Sequence, residues 1–179
     1  MFSNNLLRIF LACIMGFAGN NVYARTSVTM GYSDLSTKVQ SLDASLSAIT
    51  IGLAYEIENT STYFTLVPQI LIGKGVKNDT AEVFGFDVVP AKVSIERYLV
   101  MSLRGNFALS YSVYLFAQPV YTNLKVGVSN FGENNSDSDW SIGYGIGAGF
   151  KPTNNISLEV GYGKFDETDS VTGTFRFRF

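Results

Sequence analysis

Trp140-Ser141-Ile142-Gly143-Tyr144-Gly145-Ile146-Gly147-Ala148-Gly149-Phe150 is the stretch that decides the fold. Trp140, Ile142, Tyr144, Ile146, Ala148 and Phe150 share one face of an extended chain. Ser141, Gly143, Gly145, Gly147 and Gly149 share the other. A period of two is the signature of a strand, because successive side chains leave a pleated backbone on opposite sides. The same beat continues beyond a turn at Pro152-Thr153-Asn154-Asn155. There Ile156, Leu158, Val160 and Tyr162 alternate with Ser157, Glu159, Gly161 and Gly163. After a polar loop at 166–169 the chain ends on a third such strand. It sends Val171, Gly173, Phe175, Phe177 and Phe179 one way, and Thr172, Thr174, Arg176 and Arg178 the other.

Read upstream, the alternation predicts further strands near 26–33, 45–58, 61–73, 82–98 and 107–126, eight in all. Their connections alternate in length. Residues 58–61, 99–106 and 152–155 form short turns. Residues 34–44, 74–81, 127–137 and 166–169 form longer polar loops. Pro68, Pro90 and Pro119 fall inside strands, where each removes a ladder hydrogen bond. They are expected to mark bulges or the points where strands leave a membrane.

The first 24 residues read as a secretory signal. Arg8 is the basic flank, residues 9–18 are a short apolar run, and Val22-Tyr23-Ala24 is a small-x-small cleavage site, so the cut is placed after Ala24. The apolar run falls short of the ~20 residues of a spanning helix. Cys13, the one cysteine, lies in the leader. A single β domain over 25–179 would remain. Arg8 is one of 13 basic residues, so 12 remain against 15 acids, a balance that gives no support for nucleic-acid binding.

Glycine, serine, threonine and a few charges cannot cover a soluble core, but they can fill a narrow barrel. The bulky face must then meet lipid, and only a closed barrel leaves no strand edge unsatisfied there. The expected fold is all-β: an eight-stranded antiparallel up-and-down transmembrane β-barrel. Aromatics group at its two ends, Tyr55, Phe64, Phe107, Phe150, Phe177 and Phe179 toward the short turns, and Tyr32, Tyr121, Trp140 and Phe165 toward the long loops. Rings collect at such levels because they suit the headgroup boundary.

With Tyr63-Phe64-Thr65-Leu66-Val67-Pro68, the glycine strand 142–150, Leu158-Glu159-Val160-Gly161-Tyr162 and the closing Phe177-Arg178-Phe179, the chain resembles the small outer-membrane β-barrel family, the OmpA-type and OmpX-type transmembrane domains and their porin-like relatives. The resemblance implies export and a place in the bacterial outer membrane. It implies contact with outer-membrane lipid, and insertion by a barrel-assembly machinery that reads an aromatic last residue, Phe179.

Chemistry is limited by the absence of histidine, which removes Ser-His-Asp hydrolysis. Without histidine or mature cysteine an ordinary zinc or transition-metal site is not expected. Glu133, Asp137 and Asp139, like Asp166, Glu167 and Asp169, match no EF-hand spacing and read as solvated loops. No cofactor is expected. Glu56, Lys92, Glu96, Glu159, Arg176 and Arg178 are expected to face the lumen as a charge network. A narrow barrel forces buried charges to pair. The reading is a non-enzymatic barrel with a structural or surface-interaction, adhesion-type role, its loops open to host or phage ligands. The alternatives are a small-solute, porin-like channel and a secreted lipocalin-like barrel that binds an apolar ligand.

Overall fold

The computed structural model describes residues 23–39, 42–58, 63–77, 79–83, 89–130 and 133–179. The leader expectation lies outside these residues, except that the backbone of Tyr23 and Ala24 already pairs with Glu58 and Ile57. Among the described residues there are nine strands: β1 (Tyr23–Val39), β2 (Leu42–Glu58), β3 (Phe64–Lys77), β4 (Asp79–Val83), β5 (Val89–Ala108), β6 (Val113–Asn130), β7 (Glu133–Phe150), β8 (Ile156–Phe165) and β9 (Thr168–Arg178). All pairings are antiparallel. The sheet closes where β9 meets β1, from Ser27↔Arg178 to Ser36↔Asp169. β4 continues the line of β3 along β5, since Gly73↔Tyr98 is followed by Asp79↔Val93. The wall of the closed barrel therefore has eight staves, each next to its neighbour in sequence.

The alternation sorts side chains as the chemistry requires. Met30, Ile51, Leu53, Ile72, Ile142, Ile146, Val160 and Phe175 stand exposed on the outside. Ser27, Thr29, Thr50, Gln69, Ser102, Ser157 and Arg176 are buried inside. This is the reverse of a soluble lipocalin-like barrel, which would keep its apolar residues within. Rings ride the outer surface at both ends. Phe64 lies 5.1 Å from Phe107, and Phe177 lies 5.2 Å from Phe179. At the other end Tyr121 stacks on Trp140 at 4.5 Å. Tyr55 and Phe150 are also exposed outward. Phe165 differs from expectation: it points inward, only 4% exposed, and stacks on Tyr98. A two-residue turn, Asp166-Glu167, closes β8 onto β9 with Phe165↔Thr168 paired, so β8 keeps its inward beat to its end. Asp166 adopts φ 51°, the left-handed conformation such a turn demands.

Other boundaries also move. The fourth stave is not 82–98 but β5 at 89–108, and the expected turn at 99–106 lies inside its second half. The true turn is at 109–112, held by Leu109 and Ser110 amides on the Val113 carbonyl. Arg104-Gly105-Asn106 has turn composition but is paired on both sides. Residues 34–39, 42–44, 74–77, 127–130 and 133–137, expected in loops, belong to strands. Their polarity marks surroundings, not the loss of strand. β1, β2, β5, β6 and β7 run 17, 17, 20, 18 and 18 residues, whereas a span needs ~9–11. β8 and β9, at 10 and 11 residues, are only as tall as a span.

Two prolines sit in the wall without a bulge. The β2–β3 ladder passes from Ala54↔Gln69 to Ile57↔Leu66, skipping Pro68, which still pairs with Leu103. The β5–β6 ladder passes from Ser102↔Val120 to Gly105↔Ala117, skipping Pro119, which pairs with Tyr144. Each proline lacks its N–H on one side only.

The glycines of β7 and β8 serve close packing. A Cβ at Gly149 would overlap the buried Tyr114 ring, whereas one at Gly173 meets nothing within 4 Å. We predict that Gly149→Ala lowers stability to urea by about 1–3 kcal/mol through overpacking, while Gly173→Ala changes it little. Ile146→Arg, on the lipid face, should cost about 2–4 kcal/mol during refolding into phospholipid vesicles, and Asn135→Arg, above the span, should be tolerated. Equal refolding of the last two would remove the assignment of the outer face to lipid.

Candidate functional site: the charged layer of the lumen

Near the short-turn end, side chains from four strands build a compact charged layer. The alternation of β8 and β9 aims Ser157, Glu159, Arg176 and Arg178 inward. β2 contributes Glu56, and β5 contributes Arg104. Glu159 is the hub. Arg104 grips it with both terminal nitrogens, Nη1 to Oε2 at 2.7 Å and Nη2 to Oε1 at 2.8 Å. Arg176 Nε donates to Oε1 at 3.1 Å, and the Tyr114 hydroxyl donates to the same oxygen. The planar fork of Arg104 matches a carboxylate edge, which gives such bidentate pairs their strength.

The arginines are satisfied beyond the hub. Arg104 Nε donates to Asn106 Oδ1 at 2.7 Å, and its guanidinium lies 3.6 Å from the centre of the Phe116 ring. Arg176 Nη2 donates to Gln69 Oε1 at 2.8 Å, and its Nη1 stands 3.9 Å from Glu56. Arg178 Nε donates to Glu56 Oε1 at 2.7 Å, Nη2 to Ser157 Oγ at 2.9 Å, and Nη1 to the Asn154 carbonyl at 3.0 Å. Arg176 is 1% exposed and Arg104 2%. Buried charge on this scale is tolerable only because every ion has partners.

Of the residues expected in this network, Glu56, Glu159, Arg176 and Arg178 meet. Glu96 does not. A β-bulge between Ile95 and Arg97 turns Ile95 inward in its place. Glu96 is exposed and pairs with Lys125 at 2.6 Å, near the far rim. The Lys92 side chain lies outside the described residues; its backbone pairs with Ser129. A hairpin closing around Glu167 and Thr168, the expectation from sequence, would set Glu159 opposite Arg176; the turn at Asp166-Glu167 does not. The ladder pairs Glu159 with Thr174 and Ser157 with Arg176, and the long arginine reaches diagonally. Arg104 was missed by the sequence reading, although Tyr98, Val100, Ser102, Arg104 and Asn106 keep the inward beat that would have found it. Among the described residues no group of three or more His, Cys, Asp or Glu is arranged to hold a metal ion.

The profile of the outer membrane protein beta-barrel domain matches residues 6–179. No curated protein matches the sequence. Ail, the attachment invasion locus protein of Yersinia pestis, shares the fold at 20% identity and a TM-score of 0.59, over 87% of this chain and 97% of Ail. Neisserial surface protein A is similar at 12% identity and a TM-score of 0.53, over 89% and 98% of the two chains. A de novo designed transmembrane β-barrel is similar at 14% identity and a TM-score of 0.53, over 87% and 95%. Outward lipid-facing residues, a closed ladder and a matching family profile lead to one placement: the chain belongs to the outer membrane protein beta-barrel family and resides in the bacterial outer membrane.

Proposed function

We propose that this is a non-enzymatic barrel that acts at the cell surface by attachment, with a lumen closed by its own side chains. The observation that carries the reading is the height of the wall. Five strands of 17–20 residues rise well past a span of ~9–11. Short turns of such barrels face the periplasm, so the tall end is the cell-exposed one. Polar backbone-paired sheet held above the headgroups is a rigid platform for a ligand. Ail is named for attachment and invasion, and one Ail structure holds the heparin analogue sucrose octasulfate. That likeness supports an attachment role without naming a ligand for this chain. The absence of histidine supports the non-enzymatic part. Proposed partners are outer-membrane lipid, the assembly machinery reading Phe179, and host or phage ligands at the tall end. Cleavage after Ala24 belongs to the same proposal.

Surface expression in a non-adherent bacterial host tests the role. Cells carrying the full chain should bind cultured host cells, and replacing residues 128–135 with a two-residue turn should abolish the gain without loss of the heat-modifiable barrel band. Adherence unchanged by the full chain would end the attachment reading.

The closed lumen has its own test. In planar bilayers the unmodified protein should pass no steady current; sustained conductance would favour the porin-like channel. Arg104→Ala should destabilise the barrel by about 3–5 kcal/mol, since it strands Glu159 without its bidentate partner. The Arg104→Ala/Glu159→Ala double variant should lose clearly less than the sum of the two single changes.

A further inference from the structure

Three layers stack along the lumen. Nearest the short turns is the charged layer. Above it lies a cavity of about 70 Å³ whose wall includes Gly145, Gly161, Gly163, Thr172, Thr174 and the Gln118 amide. Above that an apolar layer crosses the bore. Leu35 from β1, Leu46 from β2, Ile95 and Tyr98 from β5, Val120 from β6 and Phe165 from β8 pack into one cluster, and all are buried. The charged and apolar layers are thus separated by open space whose wall mixes apolar side chains, among them Leu71, Val100 and Phe116, with polar ones, among them Gln69, Gln118, Thr172 and Thr174.

We infer that this cavity is a hydrated chamber joined to the periplasmic side through the charged layer, and that the apolar layer alone seals the barrel. The inference rests on the reading that the intact barrel passes no ions. One water needs about 10–15 Å³ of such space and two to four polar partners, so the chamber has room for several. Gln118 Oε1 is buried and accepts no hydrogen bond from the protein, and an orphaned acceptor of this kind is costly unless water serves it. The charged layer is held by exchangeable contacts. Glu159 takes hydrogen bonds from Arg104, Arg176 and Tyr114, so one can yield to water while the others hold. Three guanidiniums there face two carboxylates, which favours a small anion. The apolar layer offers nothing in return for a hydration shell, and a dry constriction stops ions on that ground alone.

The test places a reporter in the chamber. Thr172→Cys, made with Cys13→Ser so that it is the one thiol, is refolded into phospholipid vesicles whose insertion direction is fixed by proteolysis of the tall end. Anionic sulfonatoethyl methanethiosulfonate is then applied from one side at a time. Labelling should be at least about tenfold faster from the short-turn side, and Phe165→Ser should raise labelling from the tall side by about tenfold, as expected when a dewetting barrier is breached. Val120→Ser and Thr174→Cys serve if the first variants refold poorly. Protection from both sides, faster labelling from the tall side, or no response to either serine variant would overturn the chamber. Bilayer conductance of the same cysteine-free parent is recorded in parallel: current there defeats the closed-lumen reading, whereas labelling alone decides which layer is the seal.

Discussion

The constraint on which the rest depends is that peptide N–H and C=O groups find no water in hydrocarbon. Every strand in the span must be paired on both edges, and the β1–β9 seam supplies the last edge. Closure with eight staves then dictates a bore only as wide as the side chains that fill it. That width explains the glycines of β7 and β8. They leave room for Tyr114 and Phe116, which reach across from β6. Phe116 in turn provides the face on which Arg104 lies. The charged layer is thus a consequence of closure, because the only residues that can line so narrow a space from all sides must pair within it.

The fold was legible because alternation survives most local disturbances. β7, β8 and β9 carry their inside and outside assignments directly in sequence, and the structure keeps them. Even the displaced β8–β9 register illustrates this. The turn closes on Asp166-Glu167, one position before Glu167-Thr168, which slides the ladder by two residues, and an even shift leaves every residue on its own face. The odd step at the β5 bulge had the opposite effect and moved Glu96 out of the lumen. One inserted residue leaves no compositional trace, so periodicity could not reveal it.

Two other features were hidden for different reasons. Strand above the headgroups is polar on both faces, so Ser, Asn and Asp at 127–137 imitate a loop. Arg104 lay within a segment, Arg104-Gly105-Asn106, whose composition is that of a turn. The apolar layer was hidden by an assumption, that bulky residues all face lipid. Leu35, Leu46 and Phe165 are fully enclosed, and the tall end of the barrel has a small hydrophobic core of its own.

The seam also bears on the order of assembly. Every other backbone ladder between staves joins sequence neighbours, which can zip as hairpins with little loop-closure cost. Residue 27 must find residue 178, and that pairing is possible only once the intervening strands have curled into a nearly complete ring. Until then β1 and β9 are bare edges, one on each side of an open sheet. Such edges are bearable in water or at the headgroups and prohibitively costly among acyl chains. Ring closure and entry into the bilayer must therefore proceed together, and a sheet that entered flat would have no low-energy route to close.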